Sequence, residues 1–226
     1  MPPAPDPAPT SSPAPTAPPK ARRYRGQSPE QRRDERRRRL LDTGLELFGT
    51  AGYQQTSVER ICTTSGVTGR HFYEEFASRE ALLGAVFDEI MTGCVDAAVA
   101  AVDHARPDCD AVIDAGVGAY VRAMVADRRA ARVATIEVMA VSAVVDTSWR
   151  SEWLRFADYM LSVGNRLIEQ GQPIDGHDIT PIALVGAIHE LIRSWAIDDP
   201  ATAPSIDAIA DEAVRIVRSV ARTPAH

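Results

Sequence analysis

With 226 residues, 45% of them hydrophobic, the chain can fill one sizeable core or carry a small domain packed on a larger one. A formal charge of −6 argues at first against a polyanion binder, and no apolar run reaches the ~18 residues that a membrane-spanning helix needs. Cys62, Cys94 and Cys109 are too few and too scattered for a disulfide framework and form no CxxC pair; with no signal-peptide pattern at the start, this fits a reducing, cytoplasmic compartment.

Residues 1–19 hold nine prolines among Ala, Ser and Thr. Such a stretch cannot bury a core, so residues 1–27 are expected to form a disordered Pro/Ala-rich arm with a basic end. The net charge also hides an asymmetry. Between Lys20 and Tyr73, 12 Lys/Arg face 6 Asp/Glu, a local +6 that leaves −12 for the remainder. Salt screens charges beyond ~8–10 Å, so the local balance decides whether phosphates are attracted.

Ser28-Pro29-Glu30-Gln31 starts a helix: serine caps, proline suits the first position, and Gln31 can return the capping-box bond. Leu40, Leu41, Leu45, Leu47 and Phe48 recur at helical spacing to about Thr50, while Arg32, Arg33 and Arg36 to Arg39 leave the first half without an apolar face. Thr56-Ser57-Val58-Glu59 reads as a second capping box, opening a short helix with Val58, Ile61 and Cys62 inward. Ser65-Gly66-Val67 makes a tight turn in which Gly66 affords a positive φ. Thr68 then caps a helix with Phe72 and Phe76 on one side. Two short helices joined by a glycine turn form a helix-turn-helix, here within residues 28–77.

From Ser78 on the pattern is helical throughout: a long helix to about Ala105, ended by Pro107, then stretches near 109–126, 129–144, 148–170, 180–197 and 205–221. No alternating, strand-like pattern occurs, so the fold class is all-α.

The second helix of a helix-turn-helix meets base edges with its N-terminal residues, here Thr68, Gly69, Arg70 and His71. Arg70 has the donor fork for guanine, His71 can donate or accept, and Gly69 lets the backbone come close. Tyr73, next to the inward Phe72, should aim its hydroxyl at a phosphate. Thr56, Ser57, Arg38 and Arg39 are further phosphate candidates.

The segment Arg38 to Ile90 resembles the DNA-binding domain of TetR-family regulators, through Leu45-Glu46-Leu47-Phe48, Gly52-Tyr53, Thr56-Ser57-Val58 with Ile61, Gly66-Val67-Thr68, Phe72-Tyr73 with Phe76, and Ser78-Arg79-Glu80 with Leu82-Leu83. The resemblance implies an all-helical homodimer whose first three helices bind double-stranded DNA and whose fourth links them to a ligand-binding and dimerisation domain, here 78–226. It also implies a repressor that a small-molecule effector releases from a palindromic operator by tilting the helix from Ser78 to Ala105. Two positions depart from the family pattern. Glu75 stands where relatives carry a phosphate-holding Tyr or His and would repel phosphate; Arg79 replaces a frequent Lys and keeps its charge.

In the larger domain, Trp153, Phe156 and Met160 lie on one helical stripe, Tyr120 and Met124 share another face, and Glu137 and His189 interrupt apolar runs. These seven are the candidate pocket residues. The 180–197 helix is apolar on two sides and so needs two partners. Leu184, Ile188, Leu191 and Trp195, with Ile209, Ala213, Ile216 and Val217 of the last helix, are the candidate dimer face, two helices per chain forming a four-helix bundle.

An enzyme is the rival class, but there is no Gly-rich phosphate loop, HExxH or GxSxG. His104, Asp108, Cys109 and Asp110 straddle Pro107 too closely for a closed metal set, so neither a metal nor a cofactor is expected. A second rival is a helical interaction protein binding RNA or an anionic membrane through its basic N-terminus. Residues 30–39 lack the Trp or Leu that a membrane-surface helix sets opposite its basic face.

Overall fold

The structure, a computed structural model, describes residues 28–145 and 180–221. Among these residues every element is a helix: α1 Pro29–Thr50, α2 Val58–Ser65, α3 Gly69–Glu75, α4 Arg79–Asp103, α5 Cys109–Val125, α6 Arg128–Arg132, a π-helical turn Val133–Glu137 that runs into α7 Val138–Val145, α8 Thr180–Ile197 and α9 Ile206–Ala221. The stretch near 148–170, with Trp153, Phe156 and Met160, lies outside the described residues.

The ends of the first three helices are chemically marked. At the start of α1, Gln31 N–H donates to Ser28 Oγ at 3.1 Å and Ser28 N–H to Gln31 Oε1 at 2.7 Å, the expected capping box. Gly66 ends α2 in the left-handed region at φ +66°, and Thr68 caps α3 by accepting from His71 N–H. The cap of α2 is Ser57 rather than Thr56: Arg60 N–H donates to Ser57 Oγ at 3.2 Å. Leu40, Phe48, Ile61 and Phe72 are fully buried between these helices and meet Leu82 and Leu83 of α4. Each such side chain contributes roughly 1.5–3 kcal/mol of burial.

The 129–144 stretch, expected as one regular helix, is interrupted by the π-turn, a local widening of the winding that ends on Glu137. Its N-terminal piece packs on α1 so closely that Gly49 is needed. A Cβ there would lie 2.8 Å from Arg129 Cα and 2.9 Å from its carbonyl oxygen. Beside that contact Arg129 Nη1 donates to Glu46 at 2.5 Å, and its fork holds Asp127.

The two apolar sides of α8 have partners within the same chain, which corrects half of the expected dimer face. Ile188, Trp195, Ile209 and Ala213 are buried in the chain's own core. Trp195 lies under the Arg128 guanidinium, 4.2 Å from its ring centroid, and its indole N–H donates to Pro204 O at 3.1 Å. Leu184, Leu191, Ile216 and Val217 stay half-buried, and Ala183 and Gly186 are exposed. Helices α5 and α9 are laced by ion pairs, Arg122 with Asp207 and Arg218 with Asp110 and Asp114. Among the described residues no helix is long and apolar enough to cross a membrane.

Candidate nucleic-acid interface

Burial of Phe72 fixes which face of α3 looks outward. Gly69 has open space around its Cα, Arg70 is 87% exposed along its side chain, and Tyr73 is 60% exposed, edge-on to Phe72. The Thr68 hydroxyl lies 3.2 Å from His71 Nδ1. The structure thus brings Thr68, Gly69, Arg70 and His71 to one exposed patch, with Tyr73 beside it.

Glu74 joins this patch, although the sequence pattern alone does not single it out. Arg70 Nε donates to Glu74 Oε1 at 3.1 Å, and His71 Nε2 lies 3.9 Å from Glu74 Oε2. The signal was present as an (i, i+4) Arg–Glu spacing, but a carboxylate on a phosphate-facing helix does not suggest itself. Because Glu74 takes only the Nε donor, the two terminal nitrogens of Arg70 remain available as a fork.

Several phosphate candidates are placed otherwise than expected. Thr56 is fully buried and donates its hydroxyl to Gly52 O at 2.8 Å, so it serves the loop and not a phosphate. Ser57 keeps an exposed position at the start of α2. Arg38 is turned to carboxylates, 2.7 Å from Asp42 and bonded to Glu89 of α4, and these hold its guanidinium above the usual arginine range. Arg39 is exposed beside the turn, its Nη1 being 3.7 Å from where a Gly66 side chain would start.

Glu75 is corrected too. Its carboxylate is 2% exposed, takes both oxygens to Arg33 Nε at 3.1 and 3.2 Å, and has Arg36 at 4.0 Å. It faces α1 rather than a phosphate, and pins the end of α3 to the arginine run. Arg37 lies over the Phe76 ring at 4.6 Å. The run is therefore largely a scaffold: Arg33, Arg36, Arg37 and Arg38 have partners inside the chain. Arg79 likewise turns inward, donating to Thr56 O at 2.8 Å.

Of the expected pocket residues, Tyr120, Met124 and His189 come together in the interior. Tyr120 Oη and His189 Nε2 are 3.1 Å apart, and Met91 Sδ lies 3.8 Å from the same hydroxyl. Burial pushes His189 down to about 3 and Tyr120 well up, and raises the neighbouring Cys94 thiol to about 12, so this interior is uncharged at neutral pH. Glu137 is not with them. Its carboxylate accepts from Tyr53 N–H at 2.8 Å and from Arg132 Nε at 2.9 Å. Trp153, Phe156 and Met160 fall outside the described residues. His104 Nδ1 sits 2.7 Å from Ala100 O, and Asp108 caps α5 by accepting from Ala111 N–H at 2.9 Å.

Residues 40–86 match the family model described as bacterial regulatory proteins, tetR family. The sequence matches no curated protein. The fatty acid degradation regulator FadR of Bacillus halodurans is similar in fold at 18% identity, with 84% of this chain and 97% of that one covered and a TM-score of 0.64. A Bacillus subtilis FadR in complex with stearoyl-CoA is similar at 16% identity over 81% and 98%, TM-score 0.61. A TetR-family transcriptional regulator from Pectobacterium atrosepticum is similar at 22% identity over 86% and 95%, TM-score 0.58. At these identities the likeness to the solved structures is one of fold.

Proposed function

We propose, from the match of residues 40–86 to the tetR family of bacterial regulatory proteins, that this chain is a cytoplasmic repressor released from a palindromic operator by a small-molecule effector. It is a DNA-binding transcriptional regulator. The observation that carries the reading is the exposed first turn of α3, where Arg70 and His71 project from a helix seated on the buried Phe72. In this reading Gly69, Arg70 and His71 meet base edges, Thr68 orients the His71 ring, and Ser57, Arg39 and Tyr73 meet phosphates. Residues 28–77 form the reading head, 78–226 the ligand-binding and dimerising body, and 1–27 a basic arm.

Two heads on a two-fold axis read two half-sites about one DNA turn, ~34 Å, or a multiple apart. The partner surface is drawn from the half-buried Leu184, Leu191, Ile216 and Val217, with Ala183 and Gly186 allowing close approach. For the effector, the neutral Tyr120–His189 pair among Met91 and Met124 suits a molecule with a long apolar body and an uncharged hydrogen-bonding group. The acyl chain and thioester carbonyl of a long-chain acyl-CoA, the kind of molecule in complex with the Bacillus subtilis relative, match that description, with its charged phosphates lying outside the apolar interior.

Selection of bound sequences from random duplex DNA, with and without stearoyl-CoA, tests this. An enriched palindrome, with binding weakened by the ester, is the expected result. Uniform recovery of sequences would overturn the DNA-reading assignment; an enriched palindrome indifferent to acyl-CoA would remove only that effector class.

A further inference from the structure

Tyr53 lies in the loop between α1 and α2, yet its groups are bonded chiefly to helices of the body. Its N–H donates to Glu137 Oε2 in the π-turn, and Arg132 Nε holds the other oxygen of that carboxylate, whose side chain is 8% exposed. Its hydroxyl donates to Glu80 of α4. Its ring lies 3.8 Å below the guanidinium of Arg79, the first residue of α4, which also donates to the Tyr53 carbonyl at 3.4 Å. Gly52, at φ +86°, directs the chain so that the Tyr53 N–H meets Glu137; a Cβ there would lie 3.3 Å from Glu137 Oε1.

Downstream the loop is just as tightly held. Thr56 N–H donates to Tyr53 O at 3.1 Å and the Thr56 hydroxyl to Gly52 O at 2.8 Å. The next residue, Ser57, caps the exposed start of α2. Two separate elements of the body, the π-turn and the start of α4, thus converge on one residue just ahead of the helix that approaches DNA. Contact through α4 alone would let the head swivel about one line; the α1–α6 contact at Gly49 and the tether at Glu137 together fix the angle.

We infer that Glu137 is a positioning residue: through Tyr53 it sets the pose of the reading head on the body, and so the distance between two heads on DNA. This rests on the DNA-binding reading above. Removing the carboxylate leaves a buried Tyr53 N–H unpaired and Arg132 without its anion, a local loss that loosens the joint without touching α3.

The test measures affinity for the selected operator, for the same operator with its half-sites moved apart or together by two base pairs, and for a single half-site. Wild type, Glu137→Ala and Glu137→Gln are compared. Wild-type protein is expected to prefer its own spacing by about tenfold, the equivalent of one well-formed charged hydrogen bond. Glu137→Ala is expected to lower that preference to about threefold or less while leaving single half-site affinity close to wild type, and Glu137→Gln, which keeps an acceptor for Tyr53 N–H, falls between. An unchanged spacing profile in Glu137→Ala overturns the inference, as does an equal loss on every duplex with the profile intact. If Glu137→Ala does not fold, Glu137→Gln and Arg132→Met carry the same comparison. Absence of specific binding by the wild type would instead sink the reading on which the inference stands.

Discussion

Arg70 is held by one nitrogen and free at two, an arrangement suited to reading a guanine edge while the side chain is kept from wandering. Replacing Arg70 with alanine is expected to cost about 1–3 kcal/mol of discrimination at one base pair and little at the others, as measured by anisotropy titration against a set of singly substituted operators. Glu74→Gln should act in two opposed directions. Non-specific affinity rises because a negative charge leaves the phosphate surface, while discrimination at the Arg70 base falls because the fork is no longer braced. The same scale governs His189, which burial holds neutral down to about 3 against an ordinary 6.5. Below pH 6.5 the unfolded chain takes up a proton that the folded chain refuses. The stabilisation is therefore complete above 6.5 and is lost as pH falls toward 3, by up to about 1.4 kcal/mol per pH unit. Denaturant titrations from pH 7 to 4 should show a shallower loss in His189→Gln than in wild type; parallel curves would contradict this. Features that follow from a residue's own chemistry were legible in the sequence, such as the left-handed turn at Gly66 and the outward placement of Arg70. Thr56, Arg38, Glu75 and Glu137 were not, because each is assigned by a partner 4 to 84 positions away that no local pattern announces.

At the scale of elements the sequence was read well where helix ends carry their own signals. Ser28 with Gln31, Gly66 and Thr68 all act as their chemistry dictates. The cap of α2 slipped by one residue because Thr56 and Ser57 are both good caps, and tertiary burial of Thr56 decides between them. The π-turn left no mark, since Val133, Ala134, Ile136 and Val138 read equally well as part of an unbroken α-helix. Gly49 shows what contact between elements demands. Its missing side chain lets α6 approach α1 backbone to backbone, so Gly49→Ala must push the two helices apart. The expected cost is about 1–3 kcal/mol, visible as a fall in thermal midpoint. Gly69→Ala, with open space around it, should leave the midpoint nearly unchanged. Equal midpoints for the two variants would show that the α1–α6 contact is loose.

For the whole molecule, the double apolar character of α8 suggested a second subunit on one side, but the chain covers both sides to a large extent itself through α6 and α9. Sequence periodicity reports that a face is covered and is silent about which chain covers it. Charge is redistributed in a similar way. Residues 28–77 contain eight arginines and eight carboxylates, so the surplus between Lys20 and Tyr73 comes chiefly from Lys20, Arg22, Arg23 and Arg25. Removing residues 1–27 is therefore expected to flatten the log–log dependence of DNA affinity on salt by as much as ~3–4, while the sequence preference survives. An unchanged slope would mean that the arm does not reach phosphate. The carboxylates folded into the reading head have a further effect. A head without net charge is released quickly from wrong DNA, where ~10⁶–10⁹ competing sites would otherwise hold it. A flattened salt slope on removal of the arm would assign clinging and recognising to different segments, so that the time spent on the wrong sequence could be tuned in the arm without altering which sequence is preferred.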